Sequence, residues 1–563
     1  MYHSLPARKR HNSSVGLPIH YCADRKAETS GSSTQTYAIV WGTRLESAVL
    51  SEYQEALLAE DNMSIAQLDA FASATVMLQA LRERQLSAVE LLGLHVRRIE
   101  RYNPDLNAIV SPDYTDAHRT AAAADAARMR GEDLSLLGLP ITVKESINVR
   151  GLRTTVGMPD WSEAYVDFDA PLVRQVRAAG AVIMGKTNVP PMIWDWQANN
   201  PIFGRTNNPW DLQRTPGGST GGGAAALAAG LTPLEFGSDI AGSIRVPAAF
   251  CGVYGHKPSE TALPRTGQFP FPPLPNAGLV MGVLGPLARS AADLALAFSI
   301  TAGPEEGEDA AWRLEIPSAR HTRLADYRVA VLPKPDWLPV EPEILASLER
   351  LNRELERAGA HVREIQPESF ADLRQHTHLY LSLLWASAPL LGTPALLQQL
   401  VAGFRARGDE FSVATLRGLT ATAADYFGLR IQREQYRAAY RAFFRDWDIL
   451  LTPISLAPAF LHQEMPWPPM VTLVERTLNV DGQPVPYDLG YVYPAIATLS
   501  GQPATVFPAG QTQTGLPIGL QAVGPYLEDY TPIEFAALVE REFGGFCQPP
   551  GYDMDSVNQQ QQA

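Results

Sequence analysis

Apolar and polar positions alternate along this chain with two different periods, which predict strands and helices in turn. From Met63 to about residue 110, apolar residues recur every three or four positions, and this spacing predicts two amphipathic helices. Farther along, short continuous apolar runs predict buried strands, and segments 171–179 and 290–302 predict helices between them. This alternation favours an α/β layered sheet, and we find no internal repeats.

The two ends of the chain and two long helical patterns depart from this alternation. Residues 1–62 are polar and rich in serine and threonine, so we expect a poorly ordered N-terminal extension. The predicted domain covers residues 63–549, and residues 550–563 are expected to form a disordered Gln-rich tail. The helical patterns at 341–358 and 421–447 are expected to form a cap on the domain.

Composition and charge limit the partners that the chain can have. The chain has 563 residues, 45% of them hydrophobic, which is enough for a sizeable core. Its net charge is −14, from 46 basic and 60 acidic residues, so nucleic acid is not an expected partner. The three widely spaced cysteines predict neither a disulfide framework nor a zinc cluster. Without a membrane-length apolar run or a signal-peptide core, we expect no membrane partner and a cytoplasmic location.

Two serines flanked by glycine, Ser219 and Ser243, lie in the segment 216–259 and indicate hydrolytic chemistry. Glycine beside serine permits unusual backbone conformations and close approach of a substrate. The run GSDIAGS can leave backbone N–H groups pointing out of a tight turn, which is how an oxyanion is held. Upstream, LLGLPITVK predicts a buried strand ending at Lys144, where desolvation favours the neutral amine that a serine nucleophile needs. The alternative is a strand-end lysine whose amine reaches solvent.

Three other motifs suggest different chemistry. GAVIMGKT (180–187) matches a phosphate-binding loop, but residues 181–184 predict a buried strand whose N–H groups would be used in a sheet. GGSTG around Ser219 matches a nucleophile elbow, but the preceding DLQRTP is not a hydrophobic strand. Cys251 is a candidate thiol nucleophile, although its apolar surroundings favour a packing role. Lys186 and Lys257 compete with Lys144 as bases, and we expect both to be structural.

Several motifs resemble those of the amidase signature family of serine hydrolases, and they follow one another in the family's order. They are GLPITVKESINVRGLRTTVG (138–157), GAVIMGKTNVPP, GRTNNPWDLQRTPGGS, the segment 216–259, GPLARSAADLALAF (285–298) and SGQPATVFPAG with GLPIGLQAVG in 500–524. The resemblance extends from about Met63 to Phe546. It implies an α/β fold in which a single large domain has a mixed β-sheet core covered by helices on both faces.

The resemblance also implies a catalytic triad and an oxyanion hole. Ser243 would be the nucleophile, Ser219 a bridging serine in a cis peptide, and Lys144 the base. Thr220 replaces a usual second serine, and this change keeps the hydroxyl. The oxyanion hole would consist of the backbone N–H groups of Ile240, Ala241, Gly242 and Ser243. Ala241 stands where glycine is common, so we expect that its φ is not positive.

Substrate-binding positions follow in part from the same resemblance. The segment MIWDWQ (192–197) is similar to one that lines the family's acyl channel, which implies Ile193 and Trp194 as wall residues. A proline-rich loop at 264–278 is a candidate lid, with Phe269 and Phe271 at its aromatic mouth. In the alternative interpretation, these aromatic residues only pack the loop down. The full set of expected substrate-binding residues is Ile193, Trp194, Gly218, Phe269 and Phe271.

These expectations define an amidase, similar to bacterial amidases, aryl acylamidases and urethanases, that works without metal or other cofactor. It would cleave linear carboxylic amides to acid and amine, with aryl amides and esters favoured and carbamates as a further class. The expected partner is a small amide, ester or carbamate substrate, and a homodimer is left open. One alternative is a non-hydrolytic component of the glutamyl-tRNA amidotransferase type. Another is an ATP-dependent ligase that uses GAVIMGKT.

Overall fold

The central sheet has eleven strands, and neighbouring strands run both parallel and antiparallel. The computed structural model describes residues 69–270, 280–367, 370, 372–388, 392–466 and 473–552. All of them belong to the unit Met63–Ala563. The predicted extension, the residues of the tail after 552 and Phe271 lie outside the described residues, so what we expect of them stays a prediction.

The strands in the described residues are β1 (Ile109–Pro112), β2 (Pro140–Lys144), β3 (Val182–Thr187), β4 (Asn199–Asn200), β5 (Gly204–Arg205), β6 (Leu234–Asp239), β7 (Tyr254–Lys257), β8 (Val283–Ala288), β9 (Arg328–Val331), β10 (His361–Glu364), β11 (Ile449–Pro453), β12 (Thr477–Val480), β13 (Gln483–Pro486), β14 (Ala504–Gln511) and β15 (Pro517–Val523). The order in the large sheet is β1-β3-β2-β6-β8-β7-β14-β15-β11-β9-β10. β2 runs parallel to both β3 and β6, and β9 runs parallel to both β10 and β11. The other pairs in this sheet are antiparallel.

The helices in the described residues are α1 (Ala74–Arg82), α2 (Ala88–Leu106), α3 (Tyr114–Met129), α4 (Pro171–Ala178), α5 (Gly221–Ala228), α6 (Arg245–Cys251), α7 (Ala291–Thr301), α8 (Pro342–Arg357), α9 (Leu373–Trp385), α10 (Pro394–Arg407), α11 (Glu410–Leu419), α12 (Ala423–Phe443), α13 (Val492–Ser500) and α14 (Tyr530–Phe543). The two amphipathic helices predicted after Met63 are α1 and α2, and the predictions at 171–179 and 290–302 correspond to α4 and α7. Local sequence explains where they start. Ser87 and Glu90 form a capping box on α2, and Pro171 opens α4 at a position where its missing N–H costs nothing.

Helices cover both faces of the sheet. Gly255 on β7 faces α6, because a Cβ there would lie 2.9 Å from the Cβ of Ala248. The next residue, His256, packs edge-on against Phe298 of α7 with ring centroids 5.5 Å apart. Since successive residues of a strand point to opposite faces, α6 and α7 cover opposite faces. The α/β fold class with a mixed, doubly covered sheet is therefore confirmed.

The prediction that segment 341–358 belongs to a cap is wrong, because this helix packs on the central sheet. α8, at the predicted 341–358, packs on β10, β11, β14 and β15 of the sheet. Its apolar stripe (Ile344, Leu348, Leu351 and Leu355) is buried there, and such a stripe looks the same whether a helix covers a sheet or another helix. α12 ends at Phe443, before the predicted Trp447, and packs on α9 and α13. We call α9–α12 the helical layer.

The segment GAVIMGKT belongs to the central sheet. Residues 182–187 of GAVIMGKT form β3, which is wholly buried and pairs with β1 and β2. The strand prediction is confirmed, and the phosphate-loop alternative is wrong because this backbone is already hydrogen-bonded in the sheet. Within the described ranges, no helix combines the length and apolar character needed to cross a membrane.

Candidate active site

The candidate site lies where two parallel strands end. β2 ends at Lys144, and its parallel neighbour β6 ends at Asp239. Carboxyl ends of adjacent parallel strands lie at the same edge of a sheet, which is where α/β proteins commonly place their ligands. The glycine-rich segment that leads into α5 reaches the same edge, so Lys144 meets Ser219 although they are 75 residues apart in sequence.

The amine of Lys144 is buried among hydroxyl groups. Its Nζ lies 2.7 Å from Ser219 Oγ and 2.9 Å from Ser238 Oγ. Burial lowers the pKa of Lys144 to about 7, while the charges of Asp239 and Glu235 act to raise it. A large fraction of the amine is therefore neutral near pH 7, as a base must be. The alternative of a lysine that reaches solvent is wrong here, because Lys144 has no exposed surface.

Ser219 is held by close packing around Gly218. The peptide bond between Gly218 and Ser219 is cis, the conformation that the family resemblance implied. A Cβ on Gly218 would lie 2.4 Å from the carbonyl oxygen of Asp195, so only glycine fits against this neighbouring backbone. The structure thus places Gly218 against the segment that follows Trp194. Whether it also touches a substrate stays a prediction.

A backbone hydrogen bond links Ser243 to the residue that follows Ser219. The N–H of Thr220 donates to the Ser243 carbonyl oxygen at 3.1 Å, and the Ser243 residue is 5% exposed. In the described part of the chain, no hydrogen bond links the Ser219 and Ser243 hydroxyls. In this segment, φ is positive at Gly242 (89°) and not at Ala241. The prediction that Ala241 does not adopt a positive φ is therefore confirmed.

The loop 240–243, which we call the oxyanion loop, differs from expectation at Gly242. The N–H of Gly242 donates to Asp239 Oδ1 at 2.9 Å, so it already has an acceptor. The N–H groups of Ile240, Ala241 and Ser243 have no hydrogen-bond acceptor among the described residues. Three of the four expected donors can therefore point toward a ligand.

A buried ion pair supports this loop. Arg245 Nη2 lies 3.0 Å from Asp239 Oδ1, and Arg245 Nε lies 3.0 Å from Asp239 Oδ2. Burial alone would raise the pKa of Asp239, but the Arg245 charge and hydrogen bonds, including one from the Ile244 N–H, lower it overall. The Asp239 carboxylate thus stays charged, and it accepts hydrogen bonds from the Gly242 N–H inside the loop and from the Ile244 N–H just after it.

The carbonyl groups of the oxyanion loop are also fixed by side chains. Tyr380 on α9 donates its hydroxyl to the Ile240 carbonyl at 3.0 Å. Trp196 donates its indole N–H to the Ala241 carbonyl at 2.9 Å. The sequence did not predict a role for either side chain, because hydrogen bonds between residues 140 and 45 positions apart leave no local pattern.

Two groups of expected substrate-binding residues are described by the structure, one beside α9 and one just after β2. Trp194 is partly buried, and its ring lies 5.0 Å from that of Trp385 on α9. Ile193 precedes it with a positive φ of 58°. Phe269 is also partly buried, and its N–H donates to the Ser146 carbonyl at 2.9 Å, two residues beyond the end of β2. Phe269, inside the predicted loop 264–278, therefore lies near the end of the strand that carries the lysine. Residues 271–278 of this loop lie outside the described residues, so its role as a lid stays a prediction.

The competing nucleophile and bases are engaged elsewhere. Lys186 Nζ donates to the Arg153 carbonyl at 2.6 Å and to Thr154 Oγ1 at 2.8 Å. Lys257 Nζ donates to the carbonyl groups of Pro258 and Gln502 at 2.9 and 2.8 Å. Cys251 is fully buried, and burial raises the pKa of its thiol far above the usual value. These contacts agree with structural roles for all three residues.

Two residues near Lys144 were missed in the sequence. Ser238 lies inside GSDIAGS, but only the parallel register of β6 and β2 shows that its hydroxyl meets the lysine. Glu235, also on β6, accepts a hydrogen bond from Thr187 Oγ1 at 2.7 Å, and burial raises its pKa to about 7. Among the described residues, no group of three or more His, Cys, Asp or Glu side chains could hold a metal ion.

Comparison with known proteins places this chain in a family. The amidase family model matches residues 90–532. A glutamyl-tRNA(Gln) amidotransferase subunit from Coxiella burnetii is 31% identical over 494 residues, which cover 84% of this chain and 97% of that protein. Indoleacetamide hydrolase from Bradyrhizobium diazoefficiens is 31% identical over 473 residues, which cover 83% of this chain and 85% of that protein.

Solved structures agree on the fold. A bacterial aryl acylamidase of the amidase signature family superposes with a TM-score of 0.70 at 24% identity, covering 84% of this chain and 96% of that one. A second solved chain superposes with a TM-score of 0.70 at 27% identity, covering 85% of this chain and all of that one. It belongs to a vestigial protein complex that reveals the evolutionary origins of an s-triazine catabolic enzyme. This protein therefore belongs to the amidase family and is an amide-cleaving enzyme.

Proposed function

We propose that this protein is a serine hydrolase of carboxylic amides, with Ser243 as nucleophile, Ser219 as proton relay and Lys144 as base. One observation carries the proposal. The buried Lys144 amine, whose pKa is lowered to about 7, lies 2.7 Å from Ser219 Oγ. A serine hydroxyl becomes a nucleophile only when a nearby base takes its proton, and a neutral lysine is such a base.

In the proposed mechanism, protons move along the two serines. The neutral Lys144 amine accepts the Ser219 hydroxyl proton, while Ser219 Oγ accepts the proton of Ser243. This step requires the Ser243 hydroxyl to turn toward Ser219. Ser243 Oγ then bonds to the substrate carbonyl carbon, and the carbonyl electron pair moves to its oxygen. When the intermediate collapses, the C–N bond breaks and the relay returns one proton to the leaving amine. Water then hydrolyses the acyl-enzyme to the acid.

The proposed oxyanion hole has three donors. The N–H groups of Ile240, Ala241 and Ser243 would bind the developing negative charge on the substrate oxygen. Gly242 is left out because its N–H donates to Asp239 at 2.9 Å. Gly242 contributes instead through its positive φ of 89°, which turns the chain between Ala241 and Ser243.

Aromatic contacts support a preference for aryl substrates. Trp194 and Trp385 pack together next to the segment that holds Gly218, and Phe269, in the loop 264–278, is hydrogen-bonded to Ser146 just after β2. Such surfaces bind rings better than they bind small polar amides. We therefore propose aryl amides, anilides and aryl esters as substrates, with aryl carbamates as a further class of the same chemistry.

A second candidate function is supported by the relatives. The Coxiella burnetii protein is named as a component of glutamyl-tRNA(Gln) amidotransferase, and it aligns with 84% of this chain. In this alternative, the chain would be a non-hydrolytic component that works only together with a partner chain. A hydrolase that works alone and such a component differ in what the purified chain can do by itself.

The decisive experiment is turnover of an aryl nitroanilide by the purified chain without ATP, added ammonia or partner chains. We expect turnover, covalent labelling of Ser243 by a fluorophosphonate, and loss of both in Ser243→Ala. Ser500→Ala is the matched control, since this buried serine on α13 has no hydrogen-bond partner for its hydroxyl in the described residues. Full activity in Ser243→Ala, or an adduct mapped to Ser219 or Cys251, would contradict the assignment. Acetamide and an aryl carbamate, tested beside the anilide, measure the substrate preference.

A further inference from the structure

A side chain of the helical layer donates a hydrogen bond to the oxyanion loop. Tyr380 lies on α9, far along the chain from the loop, and its hydroxyl donates to the Ile240 carbonyl at 3.0 Å. Tyr380 has no exposed surface. Burial raises the pKa of its phenol well above the usual value, so the hydroxyl keeps its proton and remains a donor at any working pH.

This bond fixes the direction of a backbone N–H. In a planar trans peptide, the C=O of one residue and the N–H of the next point in opposite directions. The Ile240 carbonyl and the Ala241 N–H belong to one peptide unit. Tyr380 therefore holds the Ala241 N–H pointing away from α9. A hydrogen bond to the carbonyl also polarises the peptide and strengthens its N–H as a donor.

The next peptide unit, Ala241–Gly242, is held by hydrogen bonds at both its carbonyl and its N–H. Trp196 donates to the Ala241 carbonyl at 2.9 Å, and the N–H of Gly242 donates to Asp239 at 2.9 Å. The Ile240–Ala241 unit differs, because its N–H has no acceptor among the described residues. Tyr380 is thus the side chain that sets the orientation of a peptide whose donor remains available.

α9 itself is firmly held. Ser382 Oγ donates to the Ala414 carbonyl of α11 at 3.0 Å. At Gly418 of α11, a Cβ would lie 2.3 Å from the Ser382 carbonyl oxygen, so the two helices are in close backbone contact. On the same helix, Trp385 packs on Trp194 with centroids 5.0 Å apart. One rigid helix therefore carries both the Tyr380 hydroxyl and the Trp385 ring that packs on Trp194.

We propose that Tyr380 is a positioning residue of the oxyanion hole, which aims the Ala241 N–H at the substrate carbonyl oxygen. This inference rests on the proposed function of the loop. It also makes the helical layer a determinant of the reaction rate, since the residue that orients the donor comes from α9 and not from the sheet.

The test is Tyr380→Phe, which keeps the buried ring and removes only the hydroxyl. Loss of a direct oxyanion donor costs about 100- to 1000-fold in kcat, so loss of a residue that orients one should cost about 10- to 100-fold, with KM little changed. The affinity for an aryl trifluoromethyl ketone, whose adduct carries the oxyanion, should fall by the same factor. Tyr493→Phe is the matched control, because the Tyr493 hydroxyl is buried on α13 without a partner among the described residues.

Further measurements separate positioning from folding. Fluorophosphonate titration counts the competent sites, and turnover is expressed per titrated site. The pH at which activity is half-maximal should not move in Tyr380→Phe, since Lys144 is hydrogen-bonded to serines and not to this tyrosine. Unchanged kcat and ketone affinity would overturn the inference, as would a loss fully explained by fewer titratable sites or an equal loss in Tyr493→Phe.

Failure of the proposed function would look different. Wild-type Ser243 would then take no label, and Ser243→Ala would keep its turnover. That result overturns the inference as well, because the loop would hold no oxyanion. A labelled wild type, an inactive Ser243→Ala and a fully active Tyr380→Phe would overturn the inference alone.

Discussion

Burial lowers the pKa of three lysines in this protein, so a lowered pKa does not by itself identify the base. It lowers the pKa of Lys144 to about 7, that of Lys186 to about 8 and that of Lys257 to about 7. The partners distinguish them. Lys257 donates to two backbone carbonyls, which have no proton to give. Lys186 does meet the Thr154 hydroxyl, but it also donates to the Arg153 carbonyl, and the charge of the buried Glu145 acts to raise its pKa. Lys144 meets the hydroxyls of Ser219 and Ser238, and Ser219 precedes the residue whose N–H donates to the Ser243 carbonyl.

The pH dependence of activity follows from the pKa of Lys144. Burial lowers this pKa to about 7 against the charges of Asp239 and Glu235, so the required neutral amine forms as pH rises. We expect kcat to increase through about pH 7 and then to level off, and Lys144→Met to lose orders of magnitude in rate.

The matched control for Lys144→Met is Lys186→Met, another fully buried lysine at the end of the neighbouring strand. It should leave the midpoint of the pH profile in place. It should lower the thermal unfolding temperature, because the buried Glu145 carboxyl loses the positive charge that acts on it. A pH profile that stays the same in a residually active Lys144→Met variant would remove Lys144 from the role of base.

At the scale of elements, a buried ion pair joins the segment around Trp196 to the residue that precedes β12. Arg476 Nη1 lies 2.9 Å from Asp195 Oδ1, and Tyr487 donates its hydroxyl to the same oxygen at 2.6 Å. Both charged side chains are almost fully buried. This pair anchors the backbone on which Trp196 reaches the oxyanion loop.

Arg476→Met should destabilise the protein, because it leaves the buried Asp195 carboxylate without its counter-charge. The expected cost is about 3–5 kcal/mol, measured as a shift of the denaturant midpoint. Arg353→Met is the control. Its exposed pair with Glu349, at 3.8 Å, should contribute less than about 1 kcal/mol. Equal shifts in the two variants would show that the buried pair does not anchor this segment.

Sequence reasoning predicted the elements that local pattern determines. The strand ending at Lys144, the strand inside GAVIMGKT and the helices α4 and α7 follow from apolar runs and end residues. The role of α8 could not be predicted, since an amphipathic stripe does not say which surface it covers. Tyr380 and Trp196 were missed because their bonds to the oxyanion loop span 140 and 45 residues.

At the scale of the whole molecule, length does not separate a hydrolase from an amidotransferase component. The alignment with the Coxiella burnetii protein covers 97% of that protein, and the alignment with the Bradyrhizobium diazoefficiens hydrolase covers 85%. Charge is more informative. A protein that binds tRNA neutralises phosphates with lysine and arginine, and this chain has 46 basic against 60 acidic residues.

We therefore expect the purified chain to hydrolyse an anilide and to leave glutamyl-tRNA unbound. The net charge of −14 opposes association with a polyanion, and filter binding at about 50 mM salt, where phosphate contacts are strongest, should detect no complex. A basic tRNA-binding protein serves as the positive control on the same filters. Retention that weakens steeply as salt is raised would show phosphate contacts and would favour the amidotransferase alternative. Retention that is independent of salt would point to adsorption, because counterion release always makes phosphate binding depend on salt.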